Sequence, residues 1–64
     1  MSYFVMWYWT VNGLKQSEWS GHATYNDAID KYESMKPGYD FVEVLDRNKS
    51  TPDGRPFPVK CHEK

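Results

Sequence analysis

The sequence predicts a small α+β domain. Its antiparallel sheet follows the chain order β-β-α-β, one helix packs on one sheet face, and residues 57–61 are available as a fourth, edge strand. Three observations carry this. Asn12-Gly13 lies between two strand-like runs, and Asn-Gly tolerates the positive φ that both central positions of a type I′ hairpin turn require. Tyr25, Ala28, Ile29, Tyr32 and Met35 fall on one stripe of a 3.6-residue period. Residues 39–45 alternate with β-branched and aromatic side chains, as a strand does.

The first strand spans residues 2–11 and the second residues 14–23. A two-residue loop sets Val11 opposite Leu14, Trp9 opposite Gln16, Trp7 opposite Glu18 and Val5 opposite Ser20 on one face. The other face carries Phe4, Met6, Tyr8 and Thr10 against Gly21, Trp19, Ser17 and Lys15. Thr24 opens the helix, because its hydroxyl can accept from the Asp27 amide while the Asp27 carboxylate favours the positive helix end; Asn26 is a rival cap. The helix runs to about Lys36, with Asp27, Asp30, Lys31, Glu33 and Ser34 on its polar side. Pro37-Gly38 ends it, with Gly38 suited to the left-handed C-terminal position. In the third strand Tyr39, Phe41, Glu43 and Leu45 share one side, and Asp40, Val42, Val44 and Asp46 the other. Residues 48–56 read as a loop with a Pro52-Asp53-Gly54 turn. Pro56 and Pro58 cannot donate to a ladder, which confines residues 57–61 to an edge.

At 64 residues this is a single domain, 1–64, with a folded body at 1–46 and a basic loop and tail at 47–64. The chain holds three Trp, five Tyr and three Phe, and each aromatic ring can bury roughly 150–250 Å². Much of that wealth serves the core of so small a fold. Residues 1–46 carry three bases against seven acids, and residues 47–64 five bases against two acids. An acidic body argues against a dedicated nucleic-acid binder. Cys61 is the single cysteine, so no internal disulfide forms, which suits a reducing cytoplasm. No stretch matches a signal peptide, and the apolar run at residues 3–9 is too short to span a bilayer. The expected location is cytoplasmic, away from the membrane.

No catalytic constellation is visible. The histidines are His22 and His62, and Cys61-His62 are strand neighbours that point to opposite faces. His22, Cys61 and His62 lack a metal-ligand spacing, and the glycines are dispersed in turns or strand rather than gathered in a phosphate loop. The expectation is a non-enzyme with no cofactor and no metal. Two binding chemistries remain. If the helix covers the Phe4/Met6/Tyr8/Trp19 face, then Tyr3, Trp7 and Trp9 lie on the open side, joined by Phe41 or Leu45. An exposed aromatic patch of that kind marks a partner site, with Trp7 and Trp9 as anchors. Asp27, Asp30 and Glu33, with Asp40 beside the helix end, would form an acidic rim drawn to a basic groove. A homodimer is one way to cover such a face. The alternative is single-stranded nucleic acid stacked on the same aromatics, with Lys15, Arg47 and Lys49 on its phosphates. Gln16 and Glu18 beside the tryptophans weigh against it. A competing expectation has the tail fold back across the open face, with Phe57 and Val59 packing on the tryptophans.

The stretch HATYNDAIDKYESMKPGYDFVEVLDR combines a strand end, a Thr-capped helix with Asp-Ala-Ile, a Pro-Gly stop and a Phe-Val-x-Val strand. In size and pattern it resembles small bacteriophage host-takeover proteins, among them the short β-β-α-β inhibitors of bacterial RNA polymerase and several anti-CRISPR proteins. The dense aromatic first strand departs from the polymerase inhibitors. The resemblance implies a stoichiometric inhibitor that blocks a bacterial protein or nucleoprotein complex by occlusion, without cofactor or turnover.

Overall fold

The computed structural model describes residues 2–63; Lys64, the last base of the tail, lies outside the described residues. β1 (Tyr3–Val11) and β2 (Leu14–His22) form the hairpin in the expected register, Val11 opposite Leu14 and Trp7 opposite Glu18. Asn12 at φ 52° and Gly13 at φ 79° supply the two left-handed residues of its turn. Thr24 caps α1 (Tyr25–Met35), its hydroxyl oxygen accepting from the Asp27 amide at 3.2 Å. Gly38 does not end the helix in the left-handed conformation. The chain instead tightens into a 3₁₀ turn over Lys36–Gly38, with Pro37 near its start, and Tyr39 returns to extended backbone at φ −133°. That exit lets the Tyr39 ring turn inward onto Trp7 and Trp9.

β3 (Phe41–Ser50) and β4 (Pro56–Glu63) are both longer than the sequence suggests, and the expected loop shrinks to residues 51–55. Mutual pairing is the reason. The Thr51 amide donates to the Arg55 carbonyl at 2.8 Å and the Arg55 amide to Thr51 Oγ1 at 3.2 Å. Gly54, at φ 86°, closes a three-residue Pro52-Asp53-Gly54 hairpin loop. The ladder slips between Val44 and Leu45 and again between Asp46 and Ser50. At the second slip the buried Asp46 carboxylate accepts from the Asn48 amide at 2.8 Å, which satisfies a group that the ladder leaves unpaired. The four strands lie in the order β2-β1-β3-β4, every neighbouring pair antiparallel. The tail therefore widens the sheet and does not fold back across either face.

The helix covers the face opposite to the one expected. β3 pairs with β1 so that Val44 lies opposite Val5 and Val42 opposite Trp7. This assembles four apolar side chains, two of them β-branched valines from β3, into one central plaque. Against it α1 sets its own stripe, and the core is Val5, Trp7, Ala28, Tyr32, Val42 and Val44, flanked by Tyr3, Trp9, Ile29, Met35 and Tyr39. Trp7 is only 5% exposed. The polar Gln16 and Glu18 opposite the tryptophans do not prevent this, because they sit exposed on the edge strand. Lys31 lies over the outer side of the Trp7 ring at 5.2 Å, and Lys36 and Lys60 flank the Tyr32 ring at 5.3 and 5.7 Å. Burial pushes the Tyr32 phenol above its ordinary pKa, with the Lys36 charge pulling the other way.

Trp7 is thus a structural residue. Trp7→Ala should cost about 3–5 kcal/mol, the range for emptying a buried aromatic site. In a domain this small that loss should appear as a collapsed thermal melt by circular dichroism. A melt within a few degrees of the parent would contradict the assignment of Trp7 to the core.

Candidate partner-binding face

No helix, loop or tail covers the second face of the sheet among the described residues. Its composition follows from strand alternation and register. β1 contributes Phe4, Met6 and Tyr8; β2 contributes Lys15, Ser17 and Trp19; β3 contributes Phe41, Glu43 and Leu45. Cys61 of β4 lies beside Glu43. Phe4 meets Trp19 edge to face at 4.9 Å, and Trp19 is 59% exposed. Tyr8 meets Phe41 at 5.4 Å with the ring planes inclined by 40°. A cation stands over a ring at two corners: the Arg47 guanidinium 5.0 Å from the Phe4 centroid and Lys15 Nζ 4.8 Å from that of Tyr8. The surface is an aromatic and aliphatic plaque with charged corners.

Glu43 breaks the apolar pattern. It is half-buried in the interior of the plaque, opposite Met6 on one side and Cys61 on the other. Burial pushes its carboxyl above the ordinary carboxylate pKa. Beside it, at the Tyr8–Phe41 end, the surface dips into an open cavity of about 700 Å³.

The residues expected to bind a partner are placed otherwise. Trp7 is in the core; Tyr3 and Trp9 are half-buried on the helix side, where Tyr3 packs edge-on against Tyr25 at 5.7 Å and Trp9 against Tyr39 at 5.7 Å. Asp27, Asp30 and Glu33 are exposed on α1, across the sheet from the open aromatics, and Glu33 pairs with Lys36 at 3.1 Å. The acidic ridge and the aromatic plaque are therefore two separate surfaces, not an anchor and its rim. Phe4, Met6, Tyr8, Trp19, Phe41 and Leu45 make up the apolar part of the open face. In the sequence the covered side is marked by Val42 and Val44 of β3: a pair of valines two apart marks a core-facing side better than the side interrupted by Glu43 does. Lys15 and Arg47, read as phosphate contacts, do lie on the open face.

Catalytic and metal geometry is sparse. Ser20 Oγ lies 2.7 Å from His22 Nε2, a pairing of residues two apart on β2, and the hydrogen bonds of the described residues provide no third group to orient that ring. Cys61 is exposed while His62 is half-buried opposite Val42, so the neighbours do face opposite ways. Among the described residues no three His, Cys, Asp or Glu side chains gather as metal ligands, and no helix is long and apolar enough to cross a membrane.

Comparison with protein-family models, with curated proteins and with solved structures finds no match to this chain.

The Glu43 environment has a testable consequence. A carboxyl whose folded pKa is raised contributes most to stability while protonated, and that contribution is lost as pH rises through the folded value. Tyr8, Lys15, Asp40 and Glu63 line the cavity with Glu43, and Cys61 lies opposite it on β4; these are the other titratable groups around it. Glu43→Gln should therefore melt higher than the parent near neutral pH, and the two melts should converge below about pH 4, where carboxyls are protonated in folded and unfolded chains alike. An equal or lower melt for Glu43→Gln at neutral pH would show that the charged form is not penalised.

Proposed function

We propose that this chain is a non-enzymatic protein-binding module that captures a partner protein on its open sheet face and acts by occlusion. One observation carries the reading: the exposed Trp19 and the half-buried Phe4, Met6, Tyr8, Phe41 and Leu45 form an apolar surface, broken only by Glu43, that no other element among the described residues covers. Large rigid aromatics bury area at little rotamer cost, which suits them to interface anchors. The most exposed of them, Trp19, is the leading anchor, and it replaces Trp7 in that role. The resemblance in size and pattern to small phage host-takeover proteins supports a bacterial protein or nucleoprotein complex as the target, with the chain acting in the cytoplasm as a phage or mobile-element inhibitor. A second reading, single-stranded nucleic acid stacked on the same rings, is favoured by the placement of Lys15 and Arg47 over Tyr8 and Phe4. Glu43, in the interior of the face, weighs against it.

The discriminating experiment retrieves partners from bacterial lysate with tagged protein and with its variants. Trp19→Ala should weaken capture by on the order of 2 kcal/mol or more, as loss of an interface anchor does, while the thermal melt moves little. Neutralising the ridge with Asp27→Asn, Asp30→Asn and Glu33→Gln should leave capture intact. Undiminished capture by a Trp19→Ala, Phe41→Ala double variant would refute the reading. Tryptophan quenching by oligothymidylate that falls steeply with salt would transfer the face to nucleic acid.

A further inference from the structure

We propose that the concave end of the open face receives a basic side chain of the partner, an arginine laid over the Tyr8 and Phe41 rings with Glu43 as its counter-charge. This deepens the protein-binding reading and rests on it. Tyr8 and Phe41 line the 700 Å³ cavity, whose walls also carry Asp40, Glu43, Glu63 and Lys15. Three carboxylates thus oppose one ammonium. Asp40 is already engaged, accepting from the Thr10 hydroxyl at 3.3 Å. The Glu43 carboxylate has no ion pair among the described residues and is the one set within the apolar plaque.

The choice of a cation follows from what docking does to Glu43. A partner that sealed the plaque with apolar side chains alone would strand a carboxylate, which is strongly unfavourable. A partner that delivered a cation would turn the same group into a specificity element. Arginine fits better than lysine, because its planar guanidinium stacks on an aromatic ring and can still direct a fork of N–H donors to a carboxylate. The chain shows the same chemistry internally: Lys15 stands 4.8 Å from the Tyr8 centroid and Arg47 5.0 Å from that of Phe4. Lys15 is then a competitor for the incoming cation, since it occupies the Tyr8 face and adds a like charge to the cavity.

That competition gives a test of opposite signs. The probe is a capped peptide with a central arginine flanked by leucines, titrated into isotope-labelled full-length protein and followed by NMR amide shifts, with a glutamine-centred peptide as control. The arginine peptide should shift Tyr8, Phe41 and Glu43 and bind more tightly than the control. Glu43→Gln should weaken it about tenfold, the scale of one hydrogen bond to a charged group. Lys15→Gln should tighten it, and Asp30→Asn on the distant helix should leave it unchanged. Equal binding of the two peptides, no shift at the cavity, or indifference to Glu43→Gln overturns the inference. Weaker binding by Lys15→Gln overturns it as well, and oligothymidylate that shifts the same amides and loses affinity with Lys15→Gln assigns the cavity to nucleic acid. If capture from lysate depends on Trp19 while the cavity changes have no effect, the arginine site fails and the protein-binding face stands.

Discussion

A single eleven-residue helix can cover one face of a four-stranded sheet and no more, and the pairing of Trp7 with Val42 decides which face that is. With Val5 opposite Val44 one residue pair further along the same face, the two central strands present an unbroken apolar strip. Ala28 and Tyr32 of the helix close over it, and all six core residues belong to β1, β3 and α1. The edge strands β2 and β4 contribute no buried hydrophobic side chain. Their stability is borrowed, through ladder hydrogen bonds, from a strip two strands wide.

Local chemistry made much of this fold legible. The Asn12-Gly13 turn, the β1–β2 register, the Thr24 cap and the Pro52-Asp53-Gly54 turn each depend on residues close in sequence, and each forms as its side chains dictate. What was not legible depends on pairing between distant segments. The extension of β3 to Ser50 and of β4 to Glu63 requires each to be the other's partner, and residues 48–50 look like a loop until that partner is supplied. The choice of face failed for a similar reason. Judged from the hairpin alone, Trp7 and Trp9 have polar neighbours in Gln16 and Glu18, and so look exposed. The other neighbour of Trp7 is β3, and Val42 outweighs Glu18 because β1 and β3 lie under the helix while β2 lies at the rim; Trp9, beyond the end of that ladder, packs on Tyr39 instead. The candidate site moved with the face: the surplus of aromatic carbon is real, but it is Phe4, Tyr8, Trp19 and Phe41 that carry it.

The same layering separates two surfaces that the sequence left adjacent in imagination. Asp27, Asp30 and Glu33 project from the helix, and the sheet stands between them and the open aromatics. Carboxylates on that side can steer approach through the long-range field, but they cannot line a contact on the other. The charges that lie on the open sheet face itself are Glu43, Lys15, Arg47 and those of the cavity rim.

A sheet face that sets the exposed Trp19 among half-buried aromatics, beside two edge strands, is an association hazard, because such surfaces recruit copies of themselves. The edges are guarded: β4 carries Pro56 and Pro58 and a slipped ladder, and β2 carries Lys15 and Glu18. Glu43 guards the face. A carboxylate set among apolar groups penalises every non-specific apolar contact that covers it, and self-association is among those contacts. Replacing it with leucine would complete the plaque and remove the penalty, at the cost of making the surface indiscriminate. The raised pKa of Glu43 and the penalty it sets on covering the face therefore have one origin: the group is held where ionisation is unfavourable unless something compensates it.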